Sequence, residues 1–487
     1  MKKIILLGIS IIMCYPLLGL HKSDSENCFT IIAGKDATVS GSVTIAHNED
    51  DGGKNFFVNI HKIGKSGEKG RTIKLKNGKL LKLSNSHGFL WIEIAGTEFA
   101  DSYINEKGVV IVSNACPSRE DKPELTGGGI GMALRRIVAE QAENAREAVK
   151  IAGQLVEKYG YYSSGRTYAI ADSREGWLMH IVKGKHWIAK RIPDNSIAVI
   201  PNYYTIGKVD LNDRNNYMGS KNIVNYAIKR GWYKPGNGSK FSFKESYSDI
   251  KNLNSDKNTL RHWRGISMLS KLKMKSQKGL PFSFVPSKKI KPQQLFKVLR
   301  DHYEGTDKDL SNGYKDGSPN STQNRTICTK STRYSIVAEL RADLPDEIAP
   351  LIWISLRRPD SNAYSPWFPS IRSTPYGYTL GDSETAFTTH LKKEDNYFKY
   401  NEKYAFWSYA KLSEKVDNNY KDNIKKVKKF WKNFENTLFK NIKKKEREFT
   451  YLLEKNKQLA LNIITNYLHM IEYKKWFNSI DLFRAIH

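Results

Sequence analysis

For a chain of 487 residues, four cysteines are few, and they lie far apart at positions 14, 28, 116 and 328. That scarcity excludes a disulfide-dense scaffold, and the lack of any paired-cysteine spacing excludes the common zinc modules. There is no HExxH motif for a metallohydrolase and no strand-end GxSxG for a serine hydrolase. The glycine cluster Thr126–Gly131 lacks both the strand-anchored dinucleotide fingerprint and a phosphate-loop lysine, so it reads as a flexible lead-in to a helix. No metal and no cofactor are expected. Acidic residues are also short, with 50 Asp and Glu against 79 Lys and Arg, a formal net charge of +29. Such an excess favours acidic polymers or anionic surfaces. Many of these lysines fall on the polar faces of helices near the C-terminus, where a solvated surface is the simpler account.

Long apolar runs are scarce as well. Ile4–Leu20 follows the basic pair Lys2 and Lys3 and carries Pro16, the layout of a secretory signal rather than a permanent anchor. No later stretch is apolar enough to span a bilayer. Export is therefore expected, to a secreted or periplasmic location, with no stable membrane insertion and no nucleic acid as partner. Cys14 leaves with the leader, so three cysteines remain in an oxidising compartment. An odd count suggests one bridge beside one free thiol, and the expectation is a Cys116–Cys328 disulfide with Cys28 as the reactive thiol.

What is present is a succession of short β-rich segments. Phe29–Ala33 and Ser42–His47 read as two strands joined by a turn, and Asn77-Gly78 centres a hairpin signal that extends the same sheet. Further strands are expected at WIEIAG, GVVIVSNA, TYAIAD, GWLMHIVKG, KHWIAKRI and SIAVIPN. Between them, Ala145, Ala148, Val149, Ala152, Leu155, Val156 and Tyr159 share one helical face between an Asn144 N-cap and Gly160, and a second helix is expected over Ile130–Gln141. Strands, a helical pair and more strands make a layered α+β domain. The polar stretch Asn252–Lys330 reads as surface insertions. Near the C-terminus, Tyr420, Ile424, Val427, Trp431, Phe434, Leu438 and Ile442 form an amphipathic stripe in a lysine-rich background, a packing face.

Cys28 carries the chemistry. A cysteine at a new N-terminus supplies a sulfur nucleophile and, in its own α-amine, a proton acceptor. An amine pKa of about 7.7–8.0 and a thiol near about 8.5 make that workable. Inside an intact chain the nitrogen is an amide without basicity, so the Asn27–Cys28 bond must be cut. Signal cleavage could fall earlier, leaving Ser25-Glu26-Asn27 for self-processing.

The segment CFTIIAGKDATVSGSVTIAHNEDD resembles the start of the cysteine N-terminal-nucleophile (Ntn) dipeptidases, the dipeptidase A or PepD type, which are related to penicillin V acylases and bile salt hydrolases. GVVIVSNACPSRED, the NAREAV helix, EGWLMHIVKGKHWIAKRIPD, IPNYYTI and TICTKSTRYSIVAELRADLPDEIAPLIWISLRRPDSNAYSPWF follow in the order of that family. The resemblance implies a four-layer αββα sandwich and hydrolysis of small peptides through a thioester on Cys28, and the periodicity of the tail adds a C-terminal helical extension. Together they divide the chain into a signal and short propeptide over 1–27, a catalytic domain over 28–385 and a basic helical extension over 386–487. The resemblance also implies that Asp50 orients the cysteine amine. Asn48 and Glu49 read as structural. At His47, where related amidases carry arginine, an anion contact, a second proton carrier and a packed strand residue all stay open. Asn202, and Asn114 with a one-residue offset, are the candidate oxyanion donors. Arg166 or Arg333 would clamp a peptide carboxylate. The rivals are an amidase for N-acyl amino acids and a noncatalytic basic surface-binding protein. A homo-oligomer is left open.

Overall fold

The computed structural model describes residues 28–53, 55–75, 77–236, 240–272, 277 and 279–487. The expected leader and propeptide lie outside the described residues. Two antiparallel sheets form the middle of the molecule. One has six strands, in the order Ile197–Ile200, Phe29–Ala33, Val43–Asp50, Thr332–Leu340, Pro350–Leu356 and Ser365–Trp367. The other has eight, in the order Tyr217–Gly219, Trp187–Arg191, Gly176–Gly184, Tyr161–Ala171, Val110–Ala115, Ser102–Asn105, Phe89–Ile94 and Val58–Ile63.

The sheets stack face to face, and helices cover both outer faces. Met132–Gln141 and Ala145–Tyr159 lie on the eight-stranded sheet, while Asp256–Leu269, Pro292–Leu299 and the C-terminal helices lie on the six-stranded one. The result is an αββα sandwich. Strands inside such a stack have no wet face, which is why Val43–Asp50 is buried at every position although it carries five polar residues, Thr44 and His47 to Asp50.

The helical pair follows its sequence signals closely. Asn144 Oδ1 accepts the Glu147 N–H at 2.9 Å, and Gly160 closes the helix at φ 76°. Gly153 sits where the helix meets Trp187, and a Cβ there would stand 2.1 Å from the indole. Gly153→Ala gains about 1 kcal/mol of helix propensity but overpacks a rigid ring at about 1–3 kcal/mol. Net destabilisation is expected in denaturant titration, with Gln154→Ala on the exposed face as the neutral control.

Three expectations are corrected. Arg71–Lys74 and Leu80–Leu83 do form the hairpin, but as a separate two-stranded sheet. Each strand is four residues long, and the hairpin docks through Ile73, Leu75 and Leu83 on the core beside the eight-stranded sheet, by side-chain packing rather than by strand pairing. The Asn252–Lys330 stretch is no mere surface insertion. It supplies the helices Asp256–Leu269 and Pro292–Leu299 that roof the six-stranded sheet. The buried face of the first begins with Asn258, Arg261 and His262 and turns apolar only at Ile266 and Leu269, so apolar periodicity does not run along it. The Cys116–Cys328 bridge is absent, and Cys28, Cys116 and Cys328 are all free and buried. Cys116 is held in the eight-stranded sheet, where its sulfur accepts the Thr167 hydroxyl at 3.0 Å, whereas Cys328 precedes a strand of the other sheet and lies beside His302 and Asp360.

Beyond residue 385 the chain is bound into the sandwich from the start. The buried Glu93 carboxylate receives Asn59 Nδ2 at 2.6 Å, His61 Nε2 at 2.8 Å and His390 Nδ1 at 2.6 Å, and His390 Nε2 meets the Thr97 carbonyl at 2.6 Å. Both His390 nitrogens face acceptors, so the ring is an imidazolium. Burial alone would raise the Glu93 pKa, but the two histidines outweigh it and lower it from near 4.5 to about 2. Burial pulls His390 down, and Glu93 and Asp101 more than restore it, leaving it above its ordinary value. Glu93 therefore stabilises above pH about 4.5 and loses that contribution as the pH falls toward about 2. His390 stabilises fully below pH about 6.5 and loses it as the pH rises past its raised pKa. The melting-temperature gap between the native chain and His390→Gln is expected to be widest between about pH 4.5 and 6.5.

Three helices complete the chain: Ala405–Asn418, Tyr420–Lys455 and Lys457–Ala485. The stripe of Tyr420, Ile424, Val427, Trp431, Leu438 and Ile442 is buried. Trp431 Nε1 donates to the Ser361 carbonyl at 3.0 Å, and Glu435 accepts Arg300 at 2.6 Å and the Tyr364 N–H at 2.8 Å. Among the described residues no helix is long and apolar enough to cross a membrane.

Candidate active site

Strand pairing decides which side chains can meet. Phe29–Ala33 runs antiparallel to Val43–Asp50 with Thr30 opposite His47. Alternation then turns Cys28, Thr30, His47 and Glu49 toward the eight-stranded sheet, while Asn48 on the other face donates to the Leu299 and Ile327 carbonyls. Cys28 is fully buried in the full-length chain.

Its sulfur donates to Glu49 Oε1 at 2.7 Å, and the Asp50 carbonyl lies 4.0 Å away. Glu49 Oε2 is 3.0 Å from His47 Nε2 and 3.4 Å from the Tyr334 hydroxyl. His47 Nδ1 is 2.7 Å from Thr30 Oγ1, and that hydroxyl donates to Asn114 Oδ1 at 2.6 Å. Asn114 Nδ2 returns to the Cys28 carbonyl at 2.9 Å and also reaches the carbonyls of Ile200 and Pro201. Donor and acceptor bookkeeping around this ring settles a tautomer. Thr30 spends its proton on Asn114, so His47 Nδ1 must carry the hydrogen toward Thr30, and the His47–Glu49 contact holds one further proton.

The Cys28 carbonyl has a second donor, Arg261 Nη1 at 3.2 Å. The same guanidinium bonds Asn202 Oδ1 at 2.8 Å and Asn258 Oδ1 at 2.9 Å, and Asn202 Nδ2 donates to the Ala115 carbonyl at 2.9 Å. Burial brings Arg261 down to about 10, still cationic at neutral pH. Asp50 is fixed by Thr332 Oγ1 at 2.6 Å and Arg325 Nη2 at 3.0 Å. Burial raises its pKa, against the pull of Arg325 and Thr332. Burial also pushes the Cys28 thiol well up, and the charges of Glu49 and Asp50 push it further. With the upstream peptide attached, the sulfur is a protonated thiol.

Of the residues singled out from the sequence, Cys28, His47 and Asn114 are joined in one ring. Asn202 joins it through Arg261, and Asp50 lies at its edge. Asn114 clamps the main chain at Cys28, its amide protons directed at carbonyls. Arg166 and Arg333 stand outside the ring: Arg166 bonds Ser113 and the Phe99 carbonyl, and Arg333, which feels the charge of Asp50, stacks on Phe56 and bonds the Gly53 carbonyl. Arg261 and Arg325 take the neighbouring positions instead. Glu49, read as structural, is the group on the sulfur. Strand alternation was the available signal, since Glu49 follows His47 by two residues and so shares its face.

Two stacked antiparallel sheets with helices outside, and a cysteine heading an inner strand, define the Ntn-hydrolase fold. The family model described as peptidase family C69 matches residues 95–433. The chain belongs to that family, and it is an enzyme of the peptidase class. It is 27% identical to a probable dipeptidase from Latilactobacillus sakei over 72% of this chain and 76% of that one. It is 26% identical to probable dipeptidase B of Streptococcus pyogenes serotype M1 over 85% and 82%. Among solved structures, a conjugated bile acid hydrolase from Clostridium perfringens is similar over 73% of this chain and 99% of that one, at 12% identity and TM-score 0.33.

Proposed function

We propose that the chain is an exported dipeptidase whose nucleophile is Cys28, acting after everything before that residue has been removed. The observation that carries this reading is the Cys28 thiol held 2.7 Å from a carboxylate, with its own carbonyl clamped by Asn114 and Arg261. The names of the relatives, probable dipeptidase and probable dipeptidase B, support a small-peptide substrate. The run Ile4–Leu20 behind two lysines supports export.

Cleavage at Asn27–Cys28 converts an amide nitrogen into an α-amine beside Asp50. A cation there offsets the repulsion from Glu49 and Asp50 and favours the thiolate. The thiolate then attacks the peptide carbonyl, forming a C–S bond. The proton drawn from the thiol passes to the leaving amine as the C–N bond breaks, and water hydrolyses the thioester.

Mass spectrometry of exported, active protein tests the reading directly, with Cys28 expected as the first residue. An active form that retains an upstream extension on Cys28 overturns it. A panel of dipeptides against N-acyl amino acids tests the substrate class, and turnover of only the latter rejects the dipeptidase assignment.

A further inference from the structure

Away from Cys28, three ligand-bearing side chains from separate parts of the chain meet in the interior. His302 follows the helix Pro292–Leu299, Cys328 precedes the strand Thr332–Leu340, and Asp360 follows the strand Pro350–Leu356. One ligand atom from each lies within 4.8 Å of the others, and all three residues are buried. His302 Nε2 has no hydrogen-bond partner among the described residues, although its ring is completely enclosed. It stands 3.6 Å from Asp360 Oδ2. Its other nitrogen, Nδ1, is 3.4 Å from Glu304 Oε1, and Glu304 also accepts the His302 N–H at 2.7 Å and the Tyr314 hydroxyl at 2.5 Å.

A carboxylate behind Nδ1 is the arrangement that orients a metal-ligating imidazole, with Nε2 directed at the other two groups. Nε2 faces the Asp360 carboxylate beyond hydrogen-bond distance and the Cys328 thiol, and neither bonds it. A cation seated between the three groups bonds all of them.

We infer that His302, Cys328 and Asp360 form a structural site for a divalent transition metal, with zinc the ion that sulfur, nitrogen and oxygen donors in one cluster suit best. Binding exchanges the Cys328 S–H bond for a sulfur–metal bond and releases one proton to solvent. Thiolate and carboxylate together then balance the charge of the dication. Arg358 is the nearest competing cation, with Nε 3.5 Å from Asp360 Oδ1, but its Nη1 is held by Asp417 at 2.7 Å. Tyr420 donates to Asp360 Oδ2 at 2.9 Å and Ser361 to Oδ1 at 3.0 Å, which orients the carboxylate. Ligand–metal distances of about 2.0–2.3 Å place tetrahedral donors about 3.3–3.8 Å apart, so the His302–Asp360 pair at 3.6 Å already fits and Cys328, within 4.8 Å of both, moves inward by up to about 1 Å.

The location gives the site a purpose. Cys328 sits between Arg325 and Thr332, the two residues that fix Asp50, and Asp360 is bonded to Tyr420 at the head of a C-terminal helix. A metal here ties the C-terminal helices to the segment that holds Asp50. The motif is invisible in the sequence, because its ligands share no short spacing.

The test uses the full-length chain with Cys28→Ala, which removes the other thiol lying near a histidine and a carboxylate. The protein is reduced, stripped with a chelator and titrated first with Co2+ and then with Zn2+. One equivalent of Co2+ is expected to bind with a sulfur-to-cobalt charge-transfer absorption, which Zn2+ displaces while raising the melting temperature. Adding Cys328→Ser is expected to abolish the absorption while the circular dichroism spectrum is retained. Failure of Co2+ to give the absorption, or its persistence with Cys328→Ser, overturns the assignment. So does a melting temperature that Zn2+ leaves unmoved.

Discussion

Replacing Cys28 with serine is expected to lower kcat/KM for dipeptides by on the order of 10⁴-fold or more while leaving the denaturation midpoint nearly unchanged. Serine preserves the donor to Glu49 and removes little volume, so the ring from Glu49 through His47 and Thr30 to Asn114 stays closed. What it loses is acidity. A hydroxyl is far harder to ionise than a thiol, and a site with two carboxylates close by already opposes a negative charge there. Activity retained within about tenfold, measured by steady-state kinetics on the purified variant, would place the nucleophile elsewhere. The parallel measurement of midpoint separates lost chemistry from lost folding.

Arg261→Leu is expected to produce the next largest effect, and on stability as well as rate. The guanidinium serves the Cys28 carbonyl, Asn202 Oδ1 and Asn258 Oδ1, and its Nε donates to the Lys257 carbonyl at 2.7 Å. Leucine fills much of the space but leaves buried acceptors without donors. Each such orphan costs about 1–3 kcal/mol, partly offset because a buried charge is removed, so a net loss of about 2–4 kcal/mol is expected. The main chain at Cys28 then loses one of its two clamps, and a small displacement of the nucleophile reduces kcat by on the order of 10²-fold. Arg261→Lys keeps the charge but cannot span acceptors on both sides, so it should fall between the native chain and leucine. Unchanged kcat in Arg261→Leu at a temperature where the variant is folded would reduce Arg261 to a purely structural part.

Strand alternation, β-branched content and helix caps made much of the sandwich readable in advance. Phe29–Ala33, Gly176–Gly184 and the helix Ala145–Tyr159 follow their local signals closely, because in each case the residues that form the element also bury it. The helix Asp256–Leu269 escaped notice for the opposite reason. The first half of its inward face is polar, ahead of Ile266 and Leu269, and those polar groups are satisfied by partners far away in the chain, such as Asn202 and Cys28 for Arg261. A periodicity argument assumes that burial means apolar, and around a reactive centre that assumption fails.

The disulfide expectation failed on placement, and both cysteines are free. Counting cysteines leaves their separation unknown, and here Cys116 and Cys328 belong to segments of different sheets, each sulfur with its own neighbours. The contact of Glu49 with the sulfur was not foreseen, because it depends on which strand lies beside it. Only the register of Phe29–Ala33 against Val43–Asp50 brings its carboxylate to the sulfur of Cys28.

The amino-acid order by itself singled out Cys28 for the proposed role, and it determined the strand that follows it and the layered α+β architecture. These depend on local propensity and on side chains within a few residues of each other. Tertiary structure alone decided which carboxylate meets the thiol, which arginines attend it and that His302, Cys328 and Asp360 converge. Such contacts are set by how two sheets and their covering helices stack, and their energies are felt only once distant segments exclude water together.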